Sequence, residues 1–215
     1  MEAQDYAGNT PLHLSTSLAT NALLAQNANV EMKNLKGSTA LHSAVKNGHV
    51  GKVASLLTAN ANIEAKDKEK RTPLHYAARQ GHVGIASMVL ARGADINSLG
   101  KCGMTPLLFT VSKWSSESEM VSVLLKHNAD VQARDKNGNS ALYYAVMRKH
   151  SAIFRMLLDA GAADYDIISN TASTALWSLV KRPGRERFRK ILIEKLQEES
   201  KPESTQVINS HLSLN

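Results

Sequence analysis

Two pairs of histidines are the residues of this chain whose type and spacing could bind a metal ion. His42 and His49, like His75 and His82, stand seven residues apart, which is about two turns of a continuous helix. A glycine, however, precedes the second histidine of each pair and favours a helix end there. No Cys, His and Asp cluster with zinc spacing accompanies the pairs. We therefore expect structural histidines and no metal.

Nucleophilic and cofactor chemistry lack their usual motifs as well. The sequence contains no G-x-S-x-G elbow, no phosphate-binding P-loop and no dinucleotide glycine fingerprint. The single cysteine, Cys102, follows Lys101, so it is either an incidental surface thiol or one that Lys101 partly activates. The sequence therefore predicts a protein that is not an enzyme and needs no cofactor.

A basic run near the C-terminus could bind anions. Residues 181–190, "KRPGRERFRK", carry a local charge of +5 out of the formal net charge of +7. The interpretations are a solvated capping helix, or contact with an acidic protein, a phosphoinositide or nucleic acid. Aromatic residues do not alternate with the charges in a way that predicts base stacking. The candidate anion-binding residues are Lys181, Arg182, Arg185, Arg187, Arg189 and Lys190.

All of these residues lie within or beside a repeated unit. A four-residue anchor such as "TPLH" or "TALH" begins at Thr10, Thr39, Thr72, Thr105, Ser140 and Thr174. Each anchor opens a short alanine-rich segment, and a second segment with the apolar spacing of one helical face follows. Five of these second segments end at Asn or Gly, which tolerate the left-handed conformation at a helix end.

The period near 33 residues and the segment "TPLHYA" resemble the ankyrin-repeat family, over roughly residues 5–196. The resemblance implies an all-α solenoid of about six stacked helix-turn-helix units with β-hairpin fingers. It also implies that the anchor histidine bonds to backbone between repeats and that the "GH" histidine starts the second helix. We expect one domain over residues 1–200, with repeats beginning near 5, 34, 67, 100, 135 and 169, and a flexible tail over 201–215.

Several repeats depart from the pattern. The first is four residues short between its helices, the fourth carries two extra residues within "SKWSSESEM", and Lys70 replaces the glycine that precedes other anchors. We expect a strained or differently turned tip at Lys70. In the last segment, Phe188, Ile191, Leu192 and Leu196 are expected to face inward, and Arg187, Lys190 and Glu194 to face water.

The first residues match the end of a repeat. Residues 2–5, "EAQD", resemble "EAKD" at 64–67 and "QARD" at 132–135. The match favours a chain cut from a longer array, and the alternative is a gene that begins within a repeat.

In the resembled family, function is protein recognition by the fingers and the exposed ends of the first helices. These positions are mostly basic, with Glu69 as their one acid, which would steer an acidic partner to the concave face. The candidate partner-binding residues are Lys36, Lys46, Lys68, Arg71, Arg79, Gln80, Lys101, Met104, Lys113, Trp114, Lys136 and Arg148. Tyr76, Phe109 and Tyr144 share one repeat position; we expect core packing, with contact of a ring edge with the partner as the alternative.

The predicted function is a monomeric scaffold that binds another protein. The alternatives are an anion-binding module for nucleic acid or lipid headgroups, and the targeting arm of a larger enzyme. No apolar run is long enough to cross a membrane, and no secretory signal is evident. We expect a cytoplasmic or nuclear location, with export as an effector lacking a classical signal left open.

Overall fold

Residues 3–113, 118–162 and 179–199 are described by a computed structural model, and they form a stack of helical pairs. The first helices of the pairs are α1 (Pro11–Leu14), α3 (Ala40–Lys46), α5 (Pro73–Gln80), α7 (Pro106–Val111) and α9 (Ala141–Met147). The second helices are α2 (Ser17–Ala25), α4 (Val50–Thr58), α6 (Val83–Ala91), α8 (Ser118–Lys126) and α10 (Ser151–Asp159), and α11 (Glu186–Glu199) follows them. The predicted all-α repeat solenoid is confirmed.

The anchors start the first helices as their chemistry predicts. Thr39, Thr105 and Ser140 accept the backbone N–H of the residue three positions later, at 3.5, 3.3 and 3.2 Å. Gly81 ends α5 with a φ of 74°, and His82 precedes the first residue of α6. The paired histidines therefore lie on two different elements, as the glycines indicated.

The core runs along the stack. Leu41, Leu74, Leu107 and Leu142 occupy one position of α3, α5, α7 and α9, and all four side chains are buried. These helices contact one another in sequence order, and each also packs on the second helix of its pair. Each repeat thus completes the apolar core of its neighbours, which a single helical pair could not do.

The fingers are tight turns rather than extended strands. Asn34, Asp67 and Asp135 each close a finger by donating a backbone N–H to the carbonyl four residues later, at 3.0–3.1 Å. Within the described ranges, strand-type pairing is limited to one isolated bridge between Arg134 and Ser140. The hairpin fingers are therefore short loops whose conformation depends on a few side chains.

Lys70 adopts the conformation that glycine adopts in the other fingers. Its φ is 60°, against 74° at Gly37 and 78° at Gly138. The left-handed region costs a residue with a Cβ roughly 1–2 kcal/mol, so the strained tip predicted at this position is present.

Replacing Lys70 with glycine should therefore stabilise the protein by about 0.5–1 kcal/mol, because relief of the strain exceeds the extra flexibility of the unfolded chain. Urea unfolding at neutral pH measures the change. The opposite exchange, Gly37→Ala, is the control and should destabilise, since its Cβ would lie 2.9 Å from the backbone nitrogen of Lys68. A Lys70→Gly midpoint at or below that of the original protein would refute the strain.

The shortened first repeat depends on a buried lysine. Lys52 of α4 stands where α6 and α10 place Ile85 and Ile153, and only 1% of its surface is exposed. Its ammonium group donates to the carbonyl oxygens of His13 and Ser15, both at 3.0 Å, at the end of the four-residue α1. Burial lowers the pKa of Lys52 to about 8. Because α1 is so short, these two carbonyl oxygens have no helical N–H donor, and the Lys52 ammonium group donates to them instead.

Helix α11 covers the C-terminal end of the described stack. Phe188, Ile191 and Leu192 are buried, and the Phe188 ring meets the Phe154 ring edge-on at 5.4 Å. Arg187 and Lys190 are exposed, so the predicted orientation of these five residues is confirmed. The side chain of Leu196, the anchor at Thr174 with the first part of the sixth repeat, and the tail 201–215 lie outside the described residues.

Candidate partner-binding site

The fingers are numbered along the chain, so that the second is residues 34–38, the third 67–71, the fourth 100–104 and the fifth 135–139. A groove lies between the second and third fingers, beside the ends of α3 and α5. Its volume is about 590 Å³, and its lining residues come only from fingers and first helices. Five cationic side chains and one carboxylate line it. The lining residues are Leu35, Lys36, Lys46, Lys68, Glu69, Arg71, Tyr76, Arg79 and Gln80.

A second groove adjoins it on the side of the first repeat. The two share Lys36, Lys46 and Tyr76, and the smaller groove has a volume of about 230 Å³. Its other walls are mainly amide and hydroxyl groups, such as those of Asn34 and Ser43. The concave surface of the first three repeats is therefore continuous, with its positive charge concentrated between the second and third fingers.

Arg71 is the most firmly held cation of the larger groove. Its Nε donates to Oδ2 of Asp67 at 2.9 Å, and its Nη2 lies 2.9 Å from the same oxygen. Its guanidinium carbon lies 4.8 Å from the centre of the Tyr76 ring, and its Nη1 is paired with Glu69. With 14% of its side chain exposed, Arg71 presents one edge to the groove and is fixed on its other sides.

An aspartate and a tyrosine nine residues apart brace two of the fingers. The Tyr76 hydroxyl donates to Asp67 at 2.8 Å, and the Tyr144 hydroxyl donates to Asp135 at 2.6 Å. Burial and the neighbouring carboxylate raise the pKa of each tyrosine to about 12. The rings pack against the core, with Tyr76 only 6% exposed, and contact of a ring edge with a partner stays a prediction.

The fourth finger lacks this brace. Gly100 stands at the aspartate position, and Phe109, which has no hydroxyl, stands at the tyrosine position. The tip instead forms a 3₁₀ turn over Lys101–Gly103, in which Cys102 has a φ of 59°. This finger therefore differs in conformation from the second, third and fifth.

Burial opposes ionisation of Asp67, but hydrogen bonds from Arg71 and Tyr76 outweigh it, so the pKa of Asp67 lies below its ordinary value. The carboxylate consequently stays charged and keeps the Arg71 guanidinium in place. Sequence reasoning singled out Arg71 but missed this support. The recurring nine-residue spacing from Asp to Tyr was the signal for it.

Four cations of the groove are exposed and have no internal partner. Within the described part of the chain, the side-chain nitrogens of Lys36, Lys46, Lys68 and Arg79 make no hydrogen bond or ion pair. Gln80 lies beside them and is exposed too. These four side chains carry charge that an incoming acidic group could neutralise.

The remaining predicted residues are spread along the stack. Lys101 pairs with Glu69 at 3.2 Å. Met104 is half-buried, and its backbone carbonyl oxygen accepts a hydrogen bond from Nε2 of His75. Arg148 donates to the carbonyl of Ser112 at 2.6 Å. Lys136 is exposed on the fifth finger, Lys113 is half-buried, and Trp114 lies outside the described residues. The structure thus gathers six of the twelve candidates in one groove.

The C-terminal cations differ in exposure and pairing. Lys181 and Arg182 are exposed ahead of α11, Arg185 turns inward, and Lys190 lies 4.0 Å from Glu194. The anion-binding role of these six residues stays a prediction.

The anchor histidines connect neighbouring repeats. The Nε2 atom of each lies within hydrogen-bonding distance of a backbone carbonyl oxygen in the next finger, at 2.8 Å for His13 and 3.0 Å for His42 and His75. The Nδ1 atom of the same histidine contacts the threonine of its own anchor. This is the structural role implied by the family resemblance, and it is confirmed. Among the described residues no three His, Cys, Asp or Glu side chains are placed to share a metal ion.

Comparison with known families agrees with the architecture. A family model described as ankyrin repeats (3 copies) matches residues 16–100 and 90–171. The match covers well over half of the chain, and the chain belongs to the ankyrin-repeat family. Ankyrin repeats are in general protein–protein interaction modules.

Two curated proteins share shorter stretches with this chain. One is the potassium channel AKT2/3 of Arabidopsis thaliana, 54% identical over 39 residues, which are 18% of this chain and 5% of the channel. The other is the 2-5A-dependent ribonuclease of Mus musculus, 41% identical over 51 residues, which are 23% of this chain and 7% of the ribonuclease. The chain thus matches only a small part of each relative. No helix among the described residues is long and apolar enough to span a membrane.

Proposed function

We propose that this protein is a non-enzymatic scaffold that binds an acidic surface of another protein in the groove between its second and third fingers. The observation that carries the proposal is the set of four exposed cations without internal partners, Lys36, Lys46, Lys68 and Arg79. Some surface cations of the described chain pair internally, as Lys101, Arg155 and Lys195 do, whereas these four are unpaired and lie together in one groove. Complementary charge accelerates association and selects partners.

The supporting geometry is rigid. The groove is built on the ends of two packed helices and on a finger that Asp67, Arg71 and Tyr76 brace. A preorganised surface loses little conformational freedom on binding, which favours affinity. The fixed positions of these side chains suit a protein surface with acidic groups at matching positions better than they suit single small anions.

Charge reversal at two of the four cations tests the proposal. Lys46→Glu with Arg79→Glu should weaken partner binding about tenfold, because two attractions become repulsions. The matched control is Arg92→Glu with Lys126→Glu, which makes the same charge change at the ends of the second helices α6 and α8. The measurement is a quantitative pull-down from cell extract with the full chain and both double variants.

Proteins retained by the original chain and by the control, but lost from the groove variant, are the expected partners. Equal retention on both double variants would contradict the proposed location. Thermal melting of each variant checks that the fold is kept.

The alternative anion-binding role rests on the exposed cations Lys181, Arg182 and Arg187. Salt separates it from the proposed function, since binding to a phosphate polyanion falls steeply with ionic strength and a packed protein interface loses less. The two named relatives favour a third role, because each holds its matching repeats within a much longer protein. In that role the array would direct a larger protein to its target.

A further inference from the structure

Glu69 occupies a special place in the groove, since it is the one acid among the lining cations. Its Oε1 lies 3.2 Å from the Lys101 ammonium, and its Oε2 pairs with Nη1 of Arg71. Both oxygens are therefore used, although 40% of the side chain is exposed. We propose that Glu69 fills, in the free protein, the position that a carboxylate of the acidic partner takes in the complex. This inference rests on the proposed function.

The cation that Glu69 contacts is already in place for a ligand. Asp67 and the Tyr76 ring hold Arg71 through contacts that do not involve Glu69, namely the ion pair with Asp67 and the approach of the guanidinium to the ring. An Arg guanidinium presents several fixed donors, so a carboxylate arriving at Nη1 finds a formed site. Departure of Glu69 would expose Nη1 of Arg71, which Asp67 and Tyr76 still hold, and would release Lys101.

The contact of Glu69 with Lys101 is weak, and its contact with Arg71 can be exchanged for an equivalent contact with a partner carboxylate. Exposed ion pairs contribute little to stability because water and salt screen them and two long side chains must be ordered. The Lys101 side chain is 61% exposed, and the backbone hydrogen bond that joins other fingers is absent between Glu69 and Lys101 in this described region. The third and fourth fingers are thus linked at their tips by the Glu69–Lys101 pair instead.

The surrounding charge favours a carboxylate-bearing protein segment as the occupant. Beyond the site of Glu69, the groove offers Lys36, Lys46, Lys68 and Arg79 to further acidic side chains, and Leu35 is an exposed aliphatic contact at its edge. A segment with several Asp or Glu residues could form ion pairs with all four of these cations at the same time. Glu69 then sets specificity, because a neutral or basic segment cannot displace it.

The test is a gain of binding. Glu69→Gln removes the competing charge and keeps the backbone N–H that donates to Asp67. Affinity for a fluorescein-labelled poly-glutamate peptide, measured by fluorescence anisotropy on the full chain, should rise about threefold to tenfold. Glu119→Gln, which removes an exposed acid from the first turn of α8, is the matched control and should leave the affinity unchanged. Poly-glutamine should bind neither protein.

The outcomes separate this inference from the proposed function. If the original chain binds poly-glutamate and the Lys46→Glu, Arg79→Glu double variant does not, the proposed function stands. If the affinity of Glu69→Gln for poly-glutamate is then unchanged or lower, only the proposed role of Glu69 is overturned. Absence of poly-glutamate binding by every variant overturns both. Oligothymidylate is the phosphate-bearing probe, and tighter binding of it than of poly-glutamate in the same groove overturns the carboxylate occupant.

Discussion

Leu74→Ala should lower the free energy of unfolding by about 2–5 kcal/mol. Leu74 has no exposed surface and lies in α5, which packs between α3 and α7. Helices on both sides limit collapse around the deleted atoms, so a cavity adds to the lost burial. Because each repeat is stabilised mainly by its neighbours, the damage should also weaken coupling between the two halves of the stack.

Urea unfolding followed by circular dichroism measures this loss. Leu99→Ala is the control, since Leu99 is 56% exposed on the loop before the fourth finger and its truncation should change stability by no more than about 0.5 kcal/mol. Equal losses for the two variants would show that α5 is not at the centre of the core.

Acid should destabilise the protein through His75, by about 3 kcal/mol between pH 7 and pH 4. Burial lowers the pKa of this ring from 6.5 to about 4, against the opposing effect of its bond to the Met104 carbonyl. The unfolded chain binds a proton near pH 6.5 and the folded chain does not. The stabilising contribution is therefore complete above pH 6.5 and is lost as the pH falls towards 4.

Burial also lowers the pKa values of His13 and His42, so the effect should be shared among the anchors. His75→Leu copies the fourth anchor, which has Leu108 at this position. The variant should be less stable at pH 7, because it loses the bonds to Thr72 and Met104, but its stability should fall less between pH 6.5 and pH 4. Urea midpoints across this range measure the difference, and parallel curves for the two proteins would contradict the prediction.

The repeated part of the fold was predictable because its signals are local and recur. The anchors, the glycines and the apolar periodicity indicated each helical pair and the burial of residues such as Leu74 and Phe188. The strained tip at Lys70 was predictable for the same reason, since four other fingers show what that position requires.

Features that depend on contacts between repeats were not predictable in this way. Lys52 interrupts an apolar segment and gave no indication of its acceptors, which lie 37 and 39 residues earlier in the shortened repeat. The position of a candidate residue within its repeat predicted that it belongs to a finger or to the end of a first helix. It did not predict which of these charged residues pair with one another. Lys101 and Lys68 look alike in sequence, yet Glu69 neutralises the first and leaves the second unpaired.

Mapping the bound peptide on the protein tests the central proposal most directly. Poly-glutamate added to the isotope-labelled full chain should shift the backbone amide NMR signals of Lys36, Lys46, Lys68, Glu69 and Arg79, around the groove between the second and third fingers. The amides of α11 should remain unshifted. Shifts confined to residues 181–190, with the groove signals unchanged, would contradict the account.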